Sequence, residues 1–191
     1  MSAPTPSIVP NSLADFIAQS TLALTLAPTT NDDQPLVAAN DRFCRLIGYP
    51  RAEVIGRNCR FLQRDRRDQP GLGRVRAFIA GTGRGSCRVN LVNFRADGTP
   101  FVNMLTLSRI CDARGTPRFL FASQFDIGTA SLEEADGYDG RYRTAADRIR
   151  GTLDPHRLQL VGSVAALADT ASAIAEAKML VAQLDHGSTL Y

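Results

Sequence analysis

The chain of 191 residues reads as an α+β domain in which a five-stranded antiparallel sheet carries helices on one face. Three observations predict this. Residues 86–95, 99–111 and 118–126 are strand-like and are joined by "ADG" and "DARGTP", both good hairpin turns. Two earlier apolar stretches, "TLALTLA" (21–27) and "PLVAA" (35–39), are strands separated by a polar turn. Between the two groups lie short helical pieces, "NDRFCRLIG", "RAEVIG", the octet "GRNCRFLQ" (56–63) and a longer helix near 70–80. Two strands, a helical middle and a three-stranded meander make one layered domain.

Residues 12–20 form a short helix, because Ser12 and Asp15 make a capping-box pattern while Leu13, Phe16 and Ile17 share a face. After Phe125 the character changes. "GTASLEEADGYDG" is a polar linker with room for one helical turn after Ser131. Beyond it "RYRTAADRIR" and then residues 154–185 are helical, with Asp154 and Pro155 as a start signal and Gly187 as a stop. Unbroken, the second helix would run 32 residues, about 48 Å, with Gly162 as its weak point. Leu160, Val164, Leu167, Ala171 and Ile174 keep a coiled-coil spacing until Lys178 interrupts it, so this seam seeks a partner. The organisation is an N-terminal helical cap (1–20), a core (21–127), a linker (128–140) and a C-terminal helical extension (141–191).

Charge is unevenly placed. Residues 1–130 hold 16 arginines and 10 acids, whereas residues 131–191 hold 6 bases and 9 acids, so the tail could dock on the core with electrostatic help. The cysteines Cys44, Cys59, Cys87 and Cys111 have neither CxxC nor zinc-site spacing. No apolar run approaches the roughly 20 residues that span a bilayer, and the first residues show no leader pattern. A cytoplasmic protein with free thiols, away from the membrane, is the expectation.

Strand register carries the reading to a site. With the first turn centred near Asp97 and Gly98, Asn93 lies roughly opposite Asn103. With the second near Arg114, Gln124 lies roughly opposite Leu105. Asn103, Leu105 and Leu107 alternate onto one face, so Asn93, Asn103 and Gln124 point the same way. Three amides on an apolar face suit a planar ligand with alternating donors and acceptors. Facing them is Cys59, set in "GRNCRFLQ". Alone, this thiol reads either as a small buried hydrophobe or as a redox-reactive group whose pKa Arg57, Arg60 and Arg64 lower.

The stretches "LIGYPRAEVIGRNCRFLQ", "NFRADGTPFVNMLTL" and "FLFASQFD" resemble the light-oxygen-voltage (LOV) domains, flavin-binding blue-light photoreceptors of the PAS superfamily, over about residues 20–127. The octet, Arg76, Asn93, Asn103 and Gln124 fall at the family's spacing without gaps. The resemblance implies a PAS fold in which Cys59 is the photoactive nucleophile, forming a reversible cysteinyl-flavin C4a bond on illumination. It implies that Asn93 and Asn103 pair with the pyrimidine edge, that Asn58 and Gln63 position ring and ribityl chain, and that Arg60 and Arg76 clamp a terminal phosphate. Thr25, Leu62, Ile79, Leu105 and Leu107 would line the ring, and Gln124 would transmit the signal. After Gln63 the family's glycine-proline-aspartate-threonine run is replaced by "RDRRDQPG" with no added length; a long insertion here would favour an adenine-bearing flavin, so the resemblance implies FMN, with FAD or riboflavin less expected.

Other classes fit less well. The net-acidic helical tail argues against a nucleic-acid binder. An enzyme with a base beside its nucleophile is disfavoured, since His156 and His186 both lie in the tail. The alternative is a non-photochemical PAS module for redox sensing or dimerisation. The expected output is a homodimer in darkness, contacted through Leu13, Phe16, Ile17, Val164, Leu167 and Ile174 and altered by light, together with a separate effector protein.

Overall fold

The computed structural model describes residues 9–29, 33–81, 85–162 and 170–187. The elements run α1 (Asn11–Gln19), β1 (Ala23–Pro28), β2 (Ala38–Ala39), α2 (Asp41–Ile47), α3 (Arg51–Val54), a 3-10 turn (Cys59–Gln63), α4 (Pro70–Ala80), β3 (Cys87–Phe94), β4 (Pro100–Asp112), β5 (Pro117–Asp126), α5 (Leu132–Leu153), a second 3-10 turn (Asp154–His156), β6 (Leu158–Val161) and α6 (Thr170–Gly187). The antiparallel sheet has the order β2-β1-β5-β4-β3, and β6 pairs with the far end of β4. The five expected strands are present, and the tail supplies a sixth.

Both hairpin turns depend on left-handed glycines, Gly98 at φ 92° and Gly115 at φ 81°. Their registers place Gln124 opposite Leu105, as expected, but Asn93 opposite Phe101 and not Asn103. The slip is two residues. An even slip keeps the face, so the three amides still point together.

Each strand splits its side chains between two layers. Ala23, Thr25, Ala27, Asn103, Leu105, Leu107, Leu120, Ala122 and Gln124 alternate with Leu22, Leu24, Leu26, Val102, Met104, Phe119 and Phe121. The first set lies under α2, α3, the 3-10 turn and α4. The second lies under α1, α5 and α6, so helices cover both faces.

Asn40 ties the layers together. Fully buried, it caps α2 by accepting from Phe43 N (3.0 Å), accepts from Leu24 N (3.1 Å) and donates to the carbonyls of Ile17 (3.0 Å) and Leu22 (2.7 Å). One amide thus joins the end of α1, the start of β1 and the start of α2 with its hydrogen-bonding capacity filled.

The tail differs from expectation in two respects. The presumed linker begins a 22-residue helix, because Ser131 and Glu134 complete a capping box: Glu134 N donates to Ser131 Oγ (3.2 Å) and Ser131 N to Glu134 Oε2 (2.8 Å). Its apolar stripe, Ala135, Tyr138, Tyr142, Ala146, Ile149 and Leu153, has helical spacing and is buried. Secondly, the 32-residue helix does not exist. Asp154 and Pro155 end α5, Arg157 turns left-handed at φ 53°, and Leu158–Val161 extends along Arg109–Asp112. Leu160 is therefore a strand residue, and Val164 and Leu167 lie outside the described residues. Gly162, at φ 93°, passes so close to the Gly85 backbone that no Cβ would fit.

At the other end, α1 starts after Pro10 with no side-chain cap; Ser12 instead meets His156 Nε2 at 2.8 Å. Leu13, Ile17 and Ile174 are buried against the chain's own sheet. Among the described residues expected to contact a second copy, these three are covered in cis, while Phe16 is partly buried. No helix among the described residues is long and apolar enough to cross a membrane.

Candidate functional site

The cavity lies between the sheet and the helical middle. The 3-10 turn that forms one wall is capped by Asn58, whose side chain accepts from Arg60 N at 2.9 Å and donates to the Asp33 carbonyl. Cys59 is the first residue of this turn and faces the cavity with Leu62 and Gln63. Desolvation pushes its thiol up to about 12, so it is held as S–H. The neighbouring arginines do not produce a thiolate. Arg57 lies over the Phe61 ring, Arg60 is ion-paired with Asp33, and Arg64 donates to the Arg95 carbonyl.

The opposite wall is the sheet. Asn103 Nδ2 donates to Asn93 Oδ1 (2.9 Å), Asn93 Nδ2 donates to the Val92 carbonyl (3.0 Å), and Gln124 Nε2 donates to Thr25 Oγ1 (3.1 Å). Each of these four residues is at most 3% exposed. Asn103 Oδ1 and Gln124 Oε1 are buried with no protein donor. Leaving such oxygens unpaired costs about 1–3 kcal/mol each, so this wall is built for a ligand that brings donors. Apolar side chains fill the rest: Leu62, Leu105, Leu107 and Ile79, and also Leu72, Val75 and Leu91.

The structure therefore brings Thr25, Asn58, Cys59, Arg60, Leu62, Gln63, Ile79, Asn93, Asn103, Leu105, Leu107 and Gln124 around one cavity. Arg76 stands apart, exposed on α4 and outside the lining. Sequence reading missed Gln34 and Leu36, from the segment before β2, and Phe43 of α2. Strand alternation would have found Ala27, Leu120 and Ala122, since they share the amide face; nothing in the pattern marks Gln34, a non-glycine residue at φ 43°. Arg109, at 4% exposure, holds the end of α4 against this face: its guanidinium lies 4.0 Å over the Phe78 ring and donates to the Phe78 and Gly81 carbonyls.

Comparison with known proteins follows the same outline. The family model for the PAS domain matches residues 23–128. A blue-light-activated histidine kinase from Erythrobacter litoralis is 38% identical over 129 residues, 68% of this chain and 35% of the kinase. The chain thus spans about a third of the length of the curated relatives it matches first. Among solved structures, the Rhodobacter sphaeroides LOV protein is 27% identical with a TM-score of 0.62, covering 93% of this chain and 94% of its own. A variant of RsLOV is 31% identical with a TM-score of 0.65, covering 92% and 95%. With its PAS core, its cavity and these relatives, the chain belongs to the light-oxygen-voltage family of PAS domains.

Proposed function

We propose that this chain senses blue light through a flavin held in the cavity and reports it through the helices on the far face of the sheet. One observation carries the reading: a protonated Cys59 thiol shares a cavity with buried amide oxygens on Asn103 and Gln124 that lack protein donors. A flavin fits these residues. Its pyrimidine edge carries an N–H between carbonyls, so Asn93 and Asn103 would hold that edge, while Leu62, Leu105 and Leu107 would supply apolar walls for the ring. When bound, the flavin supplies blue absorption and, once excited, an electrophilic ring carbon, C4a. Cys59 would supply the sulfur to that carbon and its proton to ring N5, and would recover the proton when the bond breaks in darkness. A neutral thiol suits this step, because the nucleophile delivers the proton as well. The raised thiol pKa also counts against reading Cys59 itself as a redox-reactive thiolate.

Asn58 shapes the turn that presents Cys59, and Gln63 lies beside it. Arg60 is the charged group on the lining among the described residues, and it would hold the phosphate of FMN, the flavin we favour. Gln124 is the switch: rotating its amide presents Oε1 or Nε2 according to whether N5 carries a proton. Its strand leads through Asp126 to α5, and we propose that the change ends in a homodimer that forms in darkness and rearranges or dissociates in light, read by a separate effector protein. With Leu13, Ile17 and Ile174 buried in cis, that dimer would use the outer surface of the helical layer.

Absorbance tests the reading. The purified protein should be yellow, bleach under blue light and recover in darkness. Cys59→Ala should keep the colour and lose the bleaching, whereas Cys44→Ala, Cys87→Ala and Cys111→Ala keep both. Normal bleaching in Cys59→Ala would sink the assignment. Sedimentation in darkness and in light tests the output: a monomer in both removes the dimer.

A further inference from the structure

Among the described residues that line the cavity, the cation available to a phosphate is already engaged. Arg60 is the charged residue lining the cavity among the described residues, and its guanidinium is ion-paired with the Asp33 carboxylate. The same aspartate is fixed through its backbone, since its carbonyl accepts from Asn58 Nδ2. Asn58 in turn accepts from Arg60 N. Asp33, Asn58 and Arg60 form a closed ring of contacts that sets a carboxylate on the fork. Gln34, the next residue, lines the cavity itself in a left-handed conformation, so the backbone that shapes this wall also delivers Asp33. Arg76, the other arginine expected to hold a phosphate, lies outside the lining.

We propose that Asp33 is a specificity residue that suppresses the cavity's preference for phosphorylated over unphosphorylated flavin. The inference rests on the flavin reading of the cavity. A terminal phosphate and the Asp33 carboxylate compete for one guanidinium, so the phosphate must displace the carboxylate or share the cation at close range with another anion. The uncharged ribityl end of riboflavin meets neither obstacle. Arg60 and Asp33 side chains are 49% and 61% exposed, so water and salt screen the contest and its effect is a few-fold, not orders of magnitude.

Titration of the flavin-free full chain with FMN and with riboflavin, read by flavin fluorescence quenching, tests this. Asp33→Asn should shift the FMN-to-riboflavin affinity ratio about five-fold towards FMN, the size of one exposed ion pair, and the gain should shrink at high salt. Asp33→Glu should restore the original ratio. An unchanged ratio in Asp33→Asn overturns the proposal and leaves the flavin site standing, and a ratio shifted towards riboflavin overturns it by making Asp33 a support for Arg60. Failure of the unaltered chain to bind either flavin overturns the reading of the cavity, and this proposal with it.

Discussion

The two faces of the sheet treat buried polar groups differently. Under α5 the partners meet across the interface: Tyr138 donates to Ser123 (2.7 Å), Tyr142 meets Ser108 (3.2 Å), and Arg88, whose Nε donates within the sheet to Thr106 (3.1 Å), lies 2.9 Å from Asp139. The Arg88 and Asp139 side chains are 9% and 8% exposed, and their contact is ionic without the angle of a hydrogen bond. On the cavity face the amides pair within the sheet and leave oxygens over. Cross-layer pairing is what a docking surface needs; leftover capacity is what a ligand site needs. Asn90 departs from this pattern on the outer face, donating to the Ala173 carbonyl (2.7 Å) and to Glu176 (3.1 Å) of α6 while its own oxygen has no hydrogen-bond partner.

Breaking the outer face should have the larger effect on stability. Asp139→Leu leaves the Arg88 guanidinium in a dry interface and should cost about 3–5 kcal/mol in urea unfolding, whereas Arg88→Met with Asp139→Leu should recover most of the loss. If the double variant is as unstable as the single one, the pair is not a discrete latch. Gln124→Leu sharpens the contrast. It removes a buried oxygen that the flavin-free protein leaves unpaired, so it should change that protein's stability by no more than about 1 kcal/mol. With flavin bound it should still bleach, yet show a much smaller light-induced change in hydrogen exchange along α5; a full-sized change removes Gln124 from the pathway. The smallest effect is in pH. A thiol near its ordinary value of 9.0 would titrate in mild alkali, but burial raises Cys59 to about 12. Its proton is therefore held throughout that window, and the bleaching amplitude should stay flat between pH 7 and about 9.5. A step near pH 9 would show that Cys59 is solvated.

The cavity face was legible in the sequence because it depends on period two and on glycine-bearing turns. Its amides survived a two-residue register error, since face is a matter of parity. The outer layer was legible in part: residues 12–20, 141–150 and the far end of 154–185 read as helix, but the first turns of α5 and the strand β6 did not. Gly137, Gly140 and Gly151 break the local helical signal of α5, and the stripe that holds it combines alanines with tyrosines whose hydroxyls are satisfied only across the interface. Likewise "LQLV" looks helical beside the apolar run that follows it. Its strand state comes from the free length of β4, a fact that lives nearly 50 residues away in the sequence. Asn40 carried no visible mark, because its four partners are backbone groups from three elements. Arg76 is expected at the phosphate only through the family resemblance, and it stands exposed on α4, outside the cavity lining.

β4 is longer than its neighbour. β3 pairs with Pro100–Leu107 and leaves Arg109–Asp112 to β6, so two chain segments lie end to end along one strand, meeting where Gly162 passes Gly85. Shortened to the segment that matches the family, the chain would present the end of β4 with bare amides and carbonyls, a template on which foreign strands can add. The tail therefore guards an edge, and the mass of a truncated form would report aggregation at that edge.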